Sequence, residues 1–171
     1  LIVFVIGPVV ERIFNAYQST ALKNEAERSL RSNLPFSLIS LDLDYLKKIN
    51  DTYGHDIGDQ VIKAVAHAVK TSFRDTDVVA RIGGDEFVVI LYAEEAELEQ
   101  MQKSFAEALA NWSGLLTGKL SASCGYVRSC EAGVTDISKM ALLADERMYA
   151  AKAAYYSDNG RDRRKHTYEK S

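Results

Sequence analysis

Cysteine, proline and histidine are all scarce in this chain of 171 residues, which holds 2 cysteines, 2 prolines and 3 histidines. Cys124 and Cys130 have neither a second pair nor a histidine cluster beside them. That excludes a tetrahedral zinc site, which wants four ligands at set spacings, and a disulfide scaffold. Both read as free thiols of a reducing compartment. With so little proline, scattered glycine and no repeat, no linker divides the chain, and its length suits one domain. An excess of one charge is missing too: 21 Lys+Arg face 24 Asp+Glu, a formal net charge of -3. No global basic field draws the protein to nucleic acid. Nor is there a long hydrophobic run. The opening Leu1-Ile2-Val3-Phe4-Val5-Ile6 is broken by Gly7 and Pro8, then by Glu11 and Arg12, whereas a spanning helix needs about 20 apolar residues. That segment reads as core-facing, or as the trailing end of something upstream. A start at Leu1 rather than Met reads as a piece of a longer protein.

What is present is ordinary core-building material, 47% hydrophobic and 26% charged. A chain of this size buries roughly 70% of its unfolded surface and needs no staples. Helical periodicity runs from Val10 to about Leu30, with Glu25, Glu27, Arg28 and Arg31 on a solvated face. Phe36 to Leu43 reads as a buried strand behind Pro35. Ile57, Val61, Val65, Ala68, Val69 and Phe73 form one helical stripe. Val78 to Ile82 and Phe87 to Tyr92 pair as a hairpin around Gly83-Gly84-Asp85-Glu86. A helix from about Glu94 to Trp112, a strand around Leu120 to Val127 and a helix from Ile137 to Ala153 complete the order. The pattern predicts an α/β domain with a central mixed, mostly antiparallel sheet flanked by helices.

Two places put carboxylates where strands end. Asp42-Leu43-Asp44 leaves the strand begun at Phe36, with both aspartates on one side and the Leu43 carbonyl between them. Asp85-Glu86 sits at the hairpin tip. If the strands are neighbours, three or four carboxylates converge, and like charges so crowded call for cations or altered protonation. Oxygen ligands without sulfur or imidazole specify magnesium or manganese. Such a centre suits phosphoryl or nucleotidyl transfer. Each segment alone has a bland reading as well, a strand end and a hairpin turn. Gly83 and Gly84 serve either reading, by letting a ligand approach the backbone or by permitting positive φ.

Arg81-Ile82-Gly83-Gly84-Asp85-Glu86-Phe87 contains the five-residue motif for which the GGDEF family, the diguanylate cyclases, is named. The long run from Leu41 to Asp59 resembles the family's other motif almost throughout, and Ser121 to Gly125 and Ala144-Asp145 through Tyr149 and Lys152 match in order and spacing. The resemblance covers roughly Pro35 to Lys152. It implies a fold like the palm of nucleotidyl cyclases and polymerases. The implied enzyme joins two GTP molecules into cyclic di-GMP, releasing two pyrophosphates, with one GTP on each subunit of a homodimer. It also implies that Asp42, the Leu43 carbonyl and Asp85 hold magnesium, with Glu86 a further ligand, and that Asp85 accepts the proton of the attacking 3′-hydroxyl. Lys47 and the backbone near it, Gly84 and Lys152 would then serve the phosphates, while Asn50, His55 and Asp59 line the nucleotide pocket. A carboxylate such as Asp59 and an amide oxygen such as Asn50 suit the N–H donors of guanine. Arg74-Asp75-Thr76-Asp77 matches the family's product-inhibition motif, with Arg74 and Asp77 as its ligands.

The resemblance weakens at both ends. The family's opening motif corresponds to Pro8 to Ala16, which lacks its Asp and Thr. The family's phosphate pair, a lysine and an arginine four positions on, meets Lys152 and Tyr156 here; an arginine arrives only at Arg161, after a stretch from Ala153 to Gly160 that reads as an insertion. These departures keep open a catalytically silent module that receives GTP or cyclic di-GMP, or a dimerisation domain alone. The sequence divides into residues 1–34 as a degenerate start, 35–160 as the catalytic domain and 161–171 as a basic tail. The expected setting is a cytoplasmic domain, with an upstream sensor or membrane region in the full-length protein.

Overall fold

A computed structural model describes residues 21–93, 95–112, 119–131 and 136–162. The leading apolar segment, Val10 to Thr20 of the first helical reading and the tail from residue 163 lie outside the described residues. Helix α1 (Ala21–Arg31) leads to β1 (Ser37–Leu43), then α2 (Leu46–Tyr53) and α3 (His55–Ser72). The hairpin β2 (Val78–Arg81) and β3 (Glu86–Leu91), helix α4 (Glu95–Ala110), β4 (Ala122–Arg128) and α5 (Ile137–Asp162) follow. The four strands lie in the order β2-β3-β1-β4, and every pairing is antiparallel. The mixed component expected from the sequence is therefore absent among the described strands.

Alternation along the strands gives the sheet two covered faces. Leu38, Val88, Ile90 and Val127 pack under α1 and α5 with Leu22, Ala26, Met140 and Ala144. Ile39, Leu41, Val89 and Leu91 pack under α3 and α4 with Val61, Val65, Leu98 and Phe105. β1 is central, so all seven of its residues are buried, Asp42 among them. Tyr92 fastens α1 to the end of β3: Ser29 Oγ lies 2.7 Å from its hydroxyl, which donates to Glu25 at 2.5 Å.

Three differences from the sequence reading bear on the site. The region before the Ile57 stripe is also helical, and Gly54 at φ 87° separates α2 from α3. The left-handed region suits a residue without a Cβ. Gly83 and Gly84 do not adopt it; among the described glycines only Gly54 does. The last helix continues to Asp162, so Ala153 to Gly160 extends α5 and does not loop out as an insertion. Tyr156 therefore stands one turn beyond Lys152, four residues on and on the same face.

Candidate active site

The strand exit and the hairpin tip meet. Asp42 lies opposite Glu86 across β1 and β3, and the Leu43 N–H donates to the Asp85 carbonyl at 3.0 Å. Asp44 is held away from this pair: its N–H donates to the Ser121 carbonyl, and its carboxylate accepts from Ser123 Oγ at 2.7 Å. Across this junction the Asp85 and Glu86 carboxylates both act on Asp42, so three of the four expected acids neighbour one another while Asp44 is engaged elsewhere. Among the described residues no three acidic, histidine or cysteine side chains are grouped to hold a metal ion. Alternation sends the Asp42 and Glu86 side chains to one face, and Asp44 is engaged by its serine.

The turn itself is braced by its neighbour in the motif. Arg81 Nε donates to the Gly83 carbonyl at 3.0 Å and its Nη2 to the Gly84 carbonyl at 2.9 Å, while the Ile82 N–H closes onto the Glu86 carbonyl. Gly84 is exposed, and a Cβ built there would meet nothing within 4 Å. The space in front of the turn is open to a ligand.

Helix α5 supplies the opposite wall. Lys152 Nζ sits 2.7 Å from Asp42 Oδ1. Oδ1 is buried, and the ammonium is the cation that faces it. Burial pushes the Asp42 carboxyl up to about 6, against the pull of Lys152 and helped by Asp85 and Glu86. Asp145, also on α5 and buried, is pushed up to about 6 by the same desolvation, with Glu86, Asp42 and Glu146 adding to it. Sequence reading quoted Asp145 only as part of a motif and gave it no place in the site. Its signal was its position next to Ala144, on a stripe that is otherwise apolar.

A cleft of about 300 Å³ opens between the β1–α2 turn, α2 and α5, lined by Tyr45, Lys47, Lys48, Asp85, Lys152 and Tyr156 among others. Lys47 and Lys48 are exposed. Asn50 lies further along α2, packed against Gly58 of α3, and its Oδ1 is buried without a partner. His55 and Asp59 stand exposed at the start of α3. Lys47, Asp85 and Lys152 are thus brought to one cleft, with Asn50, His55 and Asp59 at the α2–α3 junction beside it.

Arg74 and Asp77 border a second cavity, of about 380 Å³, shared with Lys70, Asp75, Arg81 and Phe87. The Asp77 carboxylate accepts the Arg74 N–H at 2.8 Å and the Tyr92 N–H at 3.3 Å, so it already shapes the loop. The Arg74 guanidinium pairs with Glu97 at 2.6 Å, both side chains about half exposed. Neither tie was legible in the sequence, because Glu97 and Tyr92 lie on later elements.

Comparison with known proteins agrees with the motifs. The family described as diguanylate cyclase, GGDEF domain, matches residues 14–157. The chain is 36% identical over 138 residues to diguanylate cyclase DgcS of Shewanella oneidensis, covering 81% of this chain and 46% of that protein. It is 33% identical over 153 residues to diguanylate cyclase DosC of Escherichia coli, covering 84% of this chain and 32% of the relative. The chain thus spans less than half the length of either. Among solved structures, diguanylate cyclase SiaD of Pseudomonas aeruginosa, crystallised with its activator SiaC, superposes with a TM-score of 0.70 at 27% identity, over 84% of this chain and 55% of that one. No helix among the described residues is long and apolar enough to cross a membrane.

Proposed function

Because the chain belongs to the GGDEF family of diguanylate cyclases, we propose that it condenses two GTP molecules into cyclic di-GMP and releases two pyrophosphates. We infer also that the product restrains it by returning to the cavity at Arg74 and Asp77. The observation that carries the catalytic reading is the bond from the Leu43 N–H to the Asp85 carbonyl, which joins the two acidic segments at the mouth of a lysine-lined cleft.

In donor chemistry the residues present suit magnesium or manganese, while no three of the described acidic side chains are grouped around one point. Their donors are hard oxygens, and the buried Asp42 Oδ1 already faces one cation, the Lys152 ammonium at 2.7 Å. Asp42, the Leu43 carbonyl and Asp85, with Glu86, would hold the ion, which when bound would offset phosphate charge and polarise the α-phosphorus. Lys47 and Lys152 balance the charge of the triphosphate, and the exposed backbone at Gly84 admits it. Asn50 and Asp59 accept from the guanine edge, and His55 borders the pocket. In each of two displacements a 3′-hydroxyl oxygen bonds to the α-phosphorus of the other GTP, the bond to pyrophosphate breaks, and Asp85 takes the hydroxyl proton. With one GTP on each subunit, the reaction needs a homodimer. Product at the second cavity would exchange Glu97 for a phosphate on Arg74, which can fork onto it.

Incubating folded, dimeric protein with GTP and magnesium should yield cyclic di-GMP, with Arg74→Ala relieving inhibition by added product. No product from such a sample would defeat the reading. One departure favours a second reading, a silent receptor for GTP or cyclic di-GMP. Tyr156 puts a neutral group where the family carries an arginine, so the cleft loses a cation. Calorimetry separates the two, since a receptor binds without turnover.

A further inference from the structure

Tyr45 stands between β1 and α2 at φ 63° and ψ 13°, in the left-handed region. That conformation is unfavourable for a residue with a Cβ and persists only where the surroundings enforce it. The surroundings here are aromatic and come from the far end of the chain. The Tyr45 N–H donates to the Tyr156 hydroxyl at 3.3 Å. The Tyr156 ring meets the Tyr45 ring edge-on at 4.7 Å between centroids, and Tyr155 packs against both, at 5.7 Å from Tyr45 and 5.9 Å from Tyr156. Lys152, one turn earlier on α5, holds Asp42. One face of α5 therefore grips both ends of the segment from Asp42 to Tyr45, which forms the floor of the cleft.

Resting on the cyclase reading, we propose that Tyr156, backed by Tyr155, is a positioning residue of the phosphate cleft. It clamps Tyr45 in the left-handed turn and so aims Lys47 and the start of α2 at the triphosphate. The hydroxyl accepts from Tyr45 and keeps its own proton free to face the cleft that it lines. Where the family uses a charge on the phosphate, this chain uses a grip on the loop.

The test compares the full chain with Tyr156→Phe by calorimetry in magnesium, using a non-hydrolysable GTP analogue, GMP and inorganic pyrophosphate, with amide exchange read at Tyr45. Loss of one hydrogen bond should weaken the analogue and pyrophosphate about three- to tenfold, leave GMP unchanged, and speed Tyr45 exchange. In a Tyr45→Gly background, where the left-handed turn costs little, the effect of Tyr156→Phe should shrink to less than about twofold. Equal losses for all three ligands, unchanged exchange, or an undiminished effect in the Tyr45→Gly background would overturn the clamp. Failure of wild type to bind the analogue would sink the cyclase reading instead. Exchange at Tyr45 and pyrophosphate binding then still decide the clamp, which is overturned if Tyr156→Phe alters neither.

Discussion

Lys152 Nζ lies 2.7 Å from Asp42 Oδ1, tying the middle of α5 to the end of the sheet's central strand. The ammonium stands where the Asp85 and Glu86 carboxylates also act on Asp42. Even so, burial outweighs the pairing and raises the Asp42 carboxyl from 3.8 to about 6. Ionising it there costs on the order of 3 kcal/mol. A residue kept charged at such a cost serves something other than stability. Asp42→Asn should leave the melting temperature at pH 8 equal or higher, and lower cyclic di-GMP formation at least about 100-fold. A thermal melt and a product assay on the same sample check both halves. A variant that melts lower and still turns over would reverse the assignment.

Gly58 shows how α3 serves the neighbouring helix. A Cβ built there would lie 1.8 Å from Asn50 Oδ1, the far end of a side chain that can swing away. Helix propensity alone predicts that Gly58→Ala stabilises by about 0.5–1 kcal/mol. The expected outcome is a folded protein, little changed in melting temperature, whose Asn50 amide is displaced from the α2–α3 junction. Its affinity for a GTP analogue should fall while pyrophosphate binding holds. Equal binding of the analogue by variant and wild type would remove Asn50 from guanine recognition.

The family motifs were legible because they are local: Gly83-Gly84-Asp85-Glu86-Phe87 and Asp42-Leu43-Asp44 each lie within one turn or strand end. The buried β1 followed from its apolar, β-branched run behind Pro35, and the hairpin from two such runs joined by the short Gly83-Gly84-Asp85-Glu86 segment. Helix α2 was missed because Leu46 is its one buried residue, which leaves a short element without a stripe. The reach of α5 was underestimated because its apolar stripe fades after Ala151, while Tyr155 and Tyr156 go on to pack against Tyr45. Contacts between residues so distant in sequence, such as Tyr45 with Tyr156 or Asp77 with Tyr92, have no periodic signature. They arise only when the sheet brings the elements together.

Asp145 offers a pH test that does not depend on turnover. It is 5% exposed, and desolvation first, then Glu86 and Asp42, raises its carboxyl from 3.8 to about 6. A folded-state value above the unfolded one means that the fold resists ionisation. The favourable contribution is fully present below the unfolded value and is lost as pH rises through about 6. Asp145→Asn, which stays neutral, should therefore melt higher than wild type at pH 8, by roughly 2–4 °C per kcal/mol relieved. The gap should close toward pH 4. A constant gap across that range would show that the charge at Asp145 is not what the fold resists.

Gly125, midway along β4, presents the opposite case to Gly58. It pairs with Ser40 of β1 on the face covered by α5, and a Cβ there would lie 2.1 Å from the Ala144 carbonyl oxygen and 2.2 Å from the Met148 nitrogen. Both atoms are backbone, so no rotamer change relieves the clash and the helix itself must lift. That shift would carry Asp145, Lys152 and Tyr156 with it, since all three ride on the same helix. Gly125→Ala should lose about 1–3 kcal/mol or more in urea unfolding, the scale of an overpacked core. It should also lose GTP-analogue binding, because the α5 wall of the cleft moves away from Asp42 and Tyr45. A stable Gly125→Ala protein that still binds would mean that α5 can slide on the sheet, contrary to the close approach seen between Gly125 and Ala144.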